Sequence, residues 1–395
     1  MLDIWPELPI YIDDINYPSK KARDNIVAAL RLNHRVSGIW LKLTSDSAWE
    51  ALGPLMERPF PALTHLWVGP GFSTKISISR SFLGGSAPSL RDLSLAGIPF
   101  TELPELLLSA TNLVRLRYDD IPPSGHISPQ AMVAGLAALT RLETLSLMFT
   151  SHQSLSDRAI RIPPLHTRAL LPALTYLRLQ GIPEDIQDLV AQIDTPLLEG
   201  MTIVLFHREV LEISELAKFV RRANKLSLVN RAEVTFKFDR ISVTLSEGLL
   251  GERVDPKTLT LNPECAGSKL WPSYLPYFCA SCLPTLSPFE TLRIHAPTRY
   301  TWPDSDIVGH PDPQWVELLC LFNTVKDLHL SKSAAPRVIQ ALRGLPVGRV
   351  TEVLPALENV FIPGLEHFGP AKEAIYEFAD ARQLFRHPVS IYGWE

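Results

Sequence analysis

Cysteine and the usual marks of secretion are scarce in this chain. It has 395 residues and only four cysteines, whereas small secreted domains are typically dense in disulfides. No Asn-x-Ser/Thr glycosylation site occurs, and the first seven residues are acidic and interrupted by proline, which is not typical of a secretory signal peptide. These absences favour a reducing compartment, and we expect a cytoplasmic and/or nuclear protein.

Concentrated positive charge and long apolar runs are also missing. The net charge is −4 and no basic block appears, so binding to nucleic acid through neutralisation of phosphates is not expected. Apolar stretches such as Ile203–Phe206 fall far short of the roughly 20 residues that cross a bilayer. We therefore predict neither a nucleic-acid partner nor a membrane partner.

Sequence motifs of catalysis are absent as well. There is no Gly-x-Ser-x-Gly elbow, no Walker or dinucleotide glycine loop, and no metal-ligand spacing among the eleven histidines. Cys279-Ala-Ser-Cys282 has the spacing of zinc and redox sites, but Cys265 and Cys320 are single and distant, which favours packing thiols. We predict no enzyme activity, no cofactor and no metal; an enzyme with an unrecognised site is the less favoured alternative.

What the sequence has is a short phrase of the form L-x-x-L-x-L that keeps returning. Its copies begin at Leu63, Leu90, Leu113, Leu142, Leu174, Phe289, Val325 and Leu357, with degenerate copies at Val36 and Leu198. From Val36 to Leu198 the steps are 27, 27, 23, 29, 32 and 24 residues. The steps at or under 29 fit a leucine-rich repeat, and the step of 32 implies a small insertion. One repeat cannot bury its apolar face alone. We therefore predict an α/β leucine-rich-repeat solenoid, with parallel strands on the concave face and helices on the convex face.

Several segments between the copies have helical spacing of apolar residues. The predicted helices and their inward residues are Pro183–Ile193 (Ile186, Leu189, Val190, Ile193), Gln314–Asn323 after an Asp312-Pro313 start (Val316, Leu319, Cys320), a helix opening near Pro336 (Val338, Ile339, Leu342), and Gly369–Phe385 (Ile375, Phe378, Ala379, Leu384).

Three regions follow from this pattern. Residues 1–30 form an N-terminal lead-in or cap, with a strand near Pro9–Ile12 and a helix that carries Ile26, Val27 and Leu30. The solenoid occupies residues 31–365, with irregular, divergent repeats at about 206–285. Residues 366–395 form a capping helix and tail, which a repeat array needs to shield its last core layer from water.

The positions between the inward apolar residues of each phrase should point outward, because side chains alternate along a strand. On the concave face this predicts a partner-binding set of Trp40, His65, Trp67, Arg115, Arg117, Tyr176, Arg178, Arg293 and His329. Trp, Tyr and Arg dominate interface hot spots, and Arg binds carboxylates and phosphates. The expected partner is a protein with an acidic or phosphorylated segment. The alternative is that Arg115, Arg117 and Arg178 form solvated ladders with Asp92 and Asp119.

The chain resembles the fungal, basidiomycete-type F-box proteins with C-terminal leucine-rich repeats. The stretches that carry the resemblance are Leu2–Ile10, Pro59–Leu66, Val325–Ser331, Gly348–Asn359, Ala381–Leu384 and His387-Pro388. The resemblance implies a substrate-recognition arm of a ubiquitin ligase. Its F-box would precede the repeats, and Leu8-Pro9-Ile10 is not followed by the helical run of such a module. A ligase adaptor is therefore expected as a partner only if an F-box lies upstream of Met1; otherwise a free-standing scaffold or regulator is expected.

Overall fold

The structure is a computed structural model. It describes residues 8–14, 20–43, 45–70, 76–150, 168–207, 213–223, 230–237, 241–246, 258–265, 271–282, 289–297, 313–367 and 369–394. The predicted cap at Asp312 and the stretch Leu2–Glu7 lie outside these residues. The chain divides into two compact units, Met1–Leu198 and Glu199–Glu395, called unit 1 and unit 2 below. The region boundaries at residues 30 and 365 stay predictions.

Unit 1 is mixed α/β with a parallel sheet. Its strands are β1 (Ile10–Asp14), β2 (Val36–Leu43), β3 (His65–Pro70), β4 (Asp92–Ala96), β5 (Arg115–Ile121), β6 (Thr144–Phe149), β7 (Ala169–Leu170), β8 (Tyr176–Gly181) and β9 (Ile193–Asp194). Its helices are α1 (Lys20–Arg31), α2 (Asp46–Met56), α3 (Leu103–Leu107), α4 (Pro129–Leu136) and α5 (Pro183–Ala191). The main sheet has the order β1-β2-β3-β4-β5-β6-β8, with every pair parallel, and β7 pairs with β9 separately.

The register of these strands aligns the repeated phrases. The middle apolar residues of successive copies are direct partners and are buried: Ile39, Leu66, Leu93, Leu116, Leu145 and Leu177. The third apolar positions form a second buried row of Leu41, Val68, Leu95, Tyr118, Leu147 and Leu179. Each phrase is thus one strand, and its inward leucines pack against those of its neighbours, as the sequence predicts.

A turn of the same kind precedes eight of the ten copies of the phrase. The amide of the first apolar residue donates to the carbonyl three residues earlier at Leu63, Leu90, Leu113, Leu142, Leu174, Leu198, Val325 and Leu357, with N···O distances of 3.0–3.4 Å. In two copies the next residue is a threonine whose hydroxyl donates to the preceding repeat: Thr64 to the Ser37 carbonyl (2.8 Å) and Thr175 to the Glu143 carbonyl (3.1 Å). Repetition in the sequence therefore becomes repetition of backbone geometry.

Local signals explain where helices of unit 1 begin. The hydroxyl of Ser45 accepts from the Ala48 amide and that of Ser128 from the Ala131 amide, as N-caps do. Pro129 and Pro183 occupy the first turns of α4 and α5, where proline costs no hydrogen bond. The predicted helix from Pro183 is confirmed, with its four inward residues buried. It ends at Ala191, and Ile193 begins β9 instead.

Unit 2 is also mixed α/β. Its strands are β10 (Gly200–His207), β11 (Arg231–Phe236), β12 (Ile241–Ser246), β13 (Thr258–Cys265), β14 (Thr291–His295), β15 (Asp327–Leu330), β16 (Asn359–Pro363) and β17 (Ser390–Trp394). Its helices are α6 (Ser214–Arg222), α7 (Trp271–Cys282), α8 (Pro313–Cys320), α9 (Ala335–Arg343) and α10 (Pro370–Leu384). The strand order is β10-β13-β12-β11-β14-β15-β16-β17.

The expectation that all strands are parallel is wrong in unit 2. The strand β12 is antiparallel to both of its neighbours, β11 and β13, whereas the other pairs of unit 2 named in this order are parallel. Only four residues separate β11 from β12, and so short a connection allows a hairpin but not a parallel crossover. The irregular region at 206–285 therefore contains a hairpin inserted between phrase-bearing strands.

The helices of unit 2 match the predicted positions better than the predicted faces. In α9 the three predicted residues Val338, Ile339 and Leu342 are buried. In α8 the buried residues are Trp315, Leu318 and Leu319, whereas the predicted Val316 and Cys320 are half-buried. The centroid of the Trp315 ring lies 5.4 Å from that of Phe236. Because this large ring is buried, the buried face of α8 is rotated by one residue from the predicted face.

The C-terminal segment departs from the prediction in two ways. Ile375 and Phe378 of α10 are buried and Ala379 is half-buried, but Leu384 is 82% exposed because it is the last residue of the helix. The residues that follow are not a plain tail, since β17 pairs in parallel with β16. Among the described residues, no helix is both long enough and apolar enough to cross a membrane.

Candidate functional site

The polar residues of the phrase form one face of the unit 1 sheet, called the outer face below. Two rows of direct strand partners cross it. The first row is Gly38, His65, Asp92, Arg115, Thr144 and Tyr176, and the second is Trp40, Trp67, Ser94, Arg117, Ser146 and Arg178. The parallel register thus places all seven unit 1 residues of the predicted binding set on one surface.

A shallow pocket of about 240 Å³ lies on the outer face. Its lining includes Trp40, His65, Trp67, Arg115 and Arg117, together with Asp92 and Ser94. Five predicted site residues therefore share one pocket. Tyr176 and Arg178 lie farther along the same rows and are half-buried.

One wall of this pocket is aromatic. The Trp40 and Trp67 rings lie 5.9 Å apart at an interplanar angle of 38°, and Trp40 is 39% exposed. Glycines make room for large rings on the outer face: a Cβ at Gly69 would lie 2.9 Å from the Trp67 ring, and a Cβ at Gly38 would lie 2.1 Å from the ring of Tyr11. The wall exposes flat apolar area of the kind that anchors interfaces.

The other wall contains a polar cluster centred on Asp92. His65 Nε2 lies 3.2 Å from Asp92 Oδ2, and Arg115 binds both carboxylate oxygens, through Nε to Oδ1 and through Nη2 to Oδ2 at 3.1 Å. The hydrogen bond to Asp92 and its negative charge raise the pKa of Arg115. At Arg115, the alternative in which the arginine pairs with Asp92 is therefore confirmed.

The same pairing is not present at the other two arginines. No hydrogen bond or ion pair joins Arg117 to another described residue, and Arg178 Nε is buried without a hydrogen-bond partner there. Asp119, the second acid of the predicted ladder, instead accepts from Ser146 Oγ at 2.6 Å. Ser146, at a position that strand alternation predicts to point outward, is only 5% exposed. Sequence reasoning could not separate Arg115 from Arg117 because both have the same residue type and the same strand alternation.

The remaining two residues of the predicted set, Arg293 and His329, lie in unit 2. They are direct partners on β14 and β15, in a row that continues to Phe361 and Tyr392. The His329 and Phe361 rings stack at 4.4 Å and 9°, and Phe361 and Tyr392 at 5.0 Å and 14°. Burial, and then the charge of Arg293, lower the pKa of His329. Tyr392 was missed because β17 lacks the repeated phrase.

The described residues offer little to a metal or to a nucleophilic thiol. Among them, no group of three or more His, Cys, Asp or Glu residues could hold a metal ion. Cys279 is buried, and burial raises the pKa of the half-buried Cys320 thiol, which disfavours the reactive thiolate. Cys320 lines a groove of about 680 Å³ in unit 2 together with Tyr277, Val316 and Leu345.

No protein-family model matches the chain, and no curated protein matches it. Among solved structures, the leucine-rich repeat-containing protein LegL7 from Legionella pneumophila is similar, at 15% sequence identity and a TM-score of 0.30. The similarity covers 86% of this chain and 97% of that chain. A likeness at this TM-score does not establish a shared fold or function.

Proposed function

We propose that the chain is a non-catalytic protein-binding module of the leucine-rich-repeat type, a solenoid whose strand face holds a segment of a partner protein. The binding set is that of the outer face: Trp40, His65, Trp67, Arg115, Arg117, Tyr176 and Arg178. Arg293 and His329 contribute a second patch from unit 2.

The observation that carries this proposal is the pocket in which a tryptophan pair, with Trp40 exposed and Trp67 half-buried, meets arginines. Tryptophan and arginine are enriched in hot spots because they contribute a large contact area and directional charge together. Tryptophans that serve only to pack the core are largely buried, so a tryptophan left exposed on a surface is informative. Here Trp40 stays 39% exposed beside Arg117, a cation without a described partner.

A photo-crosslinking experiment tests the proposal. A photoreactive phenylalanine is placed at Ser94, which lines the pocket and pairs with Trp67 and Arg117. We expect a discrete crosslinked protein in cells, and we expect the Trp67→Ser variant to lose it. The matched control carries the same photoreactive residue at Arg58, an exposed position just after α2.

The result that would contradict the proposal is a crosslinked product that survives Trp67→Ser, or one that forms equally well from position 58. Either outcome would mean that the captured protein does not contact the outer face. Retention of the native circular dichroism spectrum by Trp67→Ser separates lost binding from lost folding.

The finer part of the proposal is membership of a ubiquitin ligase. It rests only on the resemblance to fungal F-box proteins, which would make the outer face a substrate-recognition surface. Co-precipitation of the ligase adaptor with the full product of the native transcript tests it. If the adaptor is absent while the outer-face crosslink persists, the module is a scaffold or regulator without a ligase link.

A further inference from the structure

We propose that Arg117 and Arg178, on either side of Ser146, form a site for one carboxylate side chain of the partner segment. This deepens the proposed function and rests on it, because it assigns the chemistry that the outer face recognises. Arg115 is not part of this site, although the sequence alone predicts the same role for it as for Arg117 and Arg178.

The pairing state of the three arginines decides this assignment. Arg115 already binds both oxygens of Asp92, so a ligand carboxylate would have to compete with that bidentate contact. Arg117 makes no hydrogen bond or ion pair with any other described residue. Arg178 Nε is buried and has no hydrogen-bond acceptor among the described residues. A desolvated donor without an acceptor costs about 1–3 kcal/mol. An oxygen from a ligand would remove that cost.

The backbone places the two arginines where they can act together. Arg117 and Arg178 are the direct partners of Ser146 on its two sides, so their backbones lie about 10 Å apart, two strand spacings. Serine is small, and Ser146 is only 5% exposed. Its hydroxyl is already used by Asp119. The donors that remain for a ligand at this point are therefore those of the arginines.

Local charge favours a carboxylate over a phosphate group. Arg117 and Arg178 contribute two positive charges and Asp119 one negative charge, which leaves one net positive charge. A carboxylate neutralises it, whereas a phosphoserine, with a charge of about −1.5 to −2 at neutral pH, leaves an excess of negative charge beside Asp119. The ion pair of Asp92 and Arg115 adds no net charge to this balance.

The distance to the tryptophan wall predicts a spacing within the partner. Strands lie about 4.8 Å apart, so the centre of the Trp40–Trp67 pair is about 17 Å from Ser146 across the sheet. An extended peptide advances about 3.4 Å per residue. A segment that crosses the strands would therefore place its apolar anchor about five residues from its acidic side chain.

Fluorescence anisotropy with defined peptides tests the site. The probes are labelled peptides with blocked termini that carry one leucine and one glutamate, separated by one to eight neutral residues. We expect tightest binding with about four intervening residues, and a roughly tenfold loss when glutamate becomes glutamine. Arg117→Gln and Arg178→Gln should each weaken the glutamate peptide about tenfold and leave the glutamine peptide unchanged. Arg58→Gln is the matched control and should change neither.

Three outcomes would overturn the site. The first is a glutamate peptide whose affinity is the same for wild type, Arg117→Gln and Arg178→Gln. The second is tenfold tighter binding of a phosphoserine version, which would reject the carboxylate. The third is no binding by any spacing at millimolar concentration. The proposed function fails separately, through the crosslink at Ser94: a crosslink that requires Trp67, with peptides insensitive to both arginines, keeps the binding face and rejects the carboxylate site.

Discussion

Tyr118 shows at the residue scale how one departure from the repeated phrase is accommodated. It occupies a position where the neighbouring copies have leucine, and it is fully buried. Its hydroxyl accepts from the Phe100 amide at 2.8 Å and donates to the Ile98 carbonyl at 3.1 Å. A buried phenol is tolerated only when it is hydrogen-bonded in this way. The tyrosine therefore ties the loop after β4 to the core of the next repeat.

Replacing this tyrosine should reveal both effects. Tyr118→Phe leaves the amide and the carbonyl without their partner, so we expect it to lower the free energy of unfolding by about 1–3 kcal/mol at pH 7. Burial raises the pKa of Tyr118 from its ordinary value of about 10 to about 12. The neutral form therefore stabilises the fold fully below pH 10, and this contribution is lost as the pH rises from 10 towards 12. Urea titrations at pH 7 and pH 11 measure both.

The free energies of unfolding of wild type and Tyr118→Phe should thus converge as the pH rises, since only the wild type loses the stabilisation that neutral Tyr118 provides. Tyr277→Phe, at an exposed tyrosine, is the matched control and should change stability by less than about 0.5 kcal/mol. A stability difference between wild type and Tyr118→Phe that stays constant up to pH 11 would contradict the assignment.

At the scale of elements, the sequence predicts the strands that carry the repeated phrase and misses elements, such as β12, that lack it. Strands that carry the phrase were found because each places the same apolar pattern in register. The alternation of Ile241, Val243 and Leu245 is a strand signal for β12, but β12 does not contain the L-x-x-L-x-L phrase. The face of α8 depended on the distant Phe236, which spacing within the helix cannot supply.

The C-terminal helix α10 depends on a contact of this long-range kind. Arg382 is fully buried and donates to four backbone carbonyls: those of Val350 (3.2 Å), Val353 (3.1 Å), Pro355 (3.2 Å) and His387 (3.4 Å). Burial lowers its pKa, yet guanidinium stays charged because its pKa is so high. This one side chain joins the helix to the turn before β16.

We expect Arg382→Met to destabilise the protein by about 2–4 kcal/mol, because methionine fills part of the space but leaves the carbonyls without donors. Urea unfolding followed by tryptophan fluorescence measures the loss. Arg343→Met, at an exposed arginine paired with Glu377, should change stability by less than about 1 kcal/mol. Equal effects of the two substitutions would show that the buried contacts of Arg382 are not what stabilises α10.

At the scale of the whole molecule, the sequence was sufficient for the α/β class, the parallel strands of unit 1 and the surface on which its candidate residues lie. It was not sufficient for the antiparallel strand of unit 2 or for β17, because neither belongs to a phrase. Within the site, alternation predicted which residues point outward. The pairing of Asp92 with Arg115 rather than Arg117 depends on the register and rotamers of neighbouring strands, which a single strand sequence does not contain.

The central claim is that the outer face of unit 1 binds a protein. The most direct measurement is the affinity of the crosslinked partner, once purified, for wild type and for a Trp40→Ser, Trp67→Ser double variant, with thermal unfolding of both proteins as the control. The account predicts a loss of at least about 100-fold in affinity, since hot-spot residues contribute 2 kcal/mol or more each, with an unfolding temperature almost unchanged. An affinity that stays within a factor of three of wild type, in a folded double variant, would contradict it.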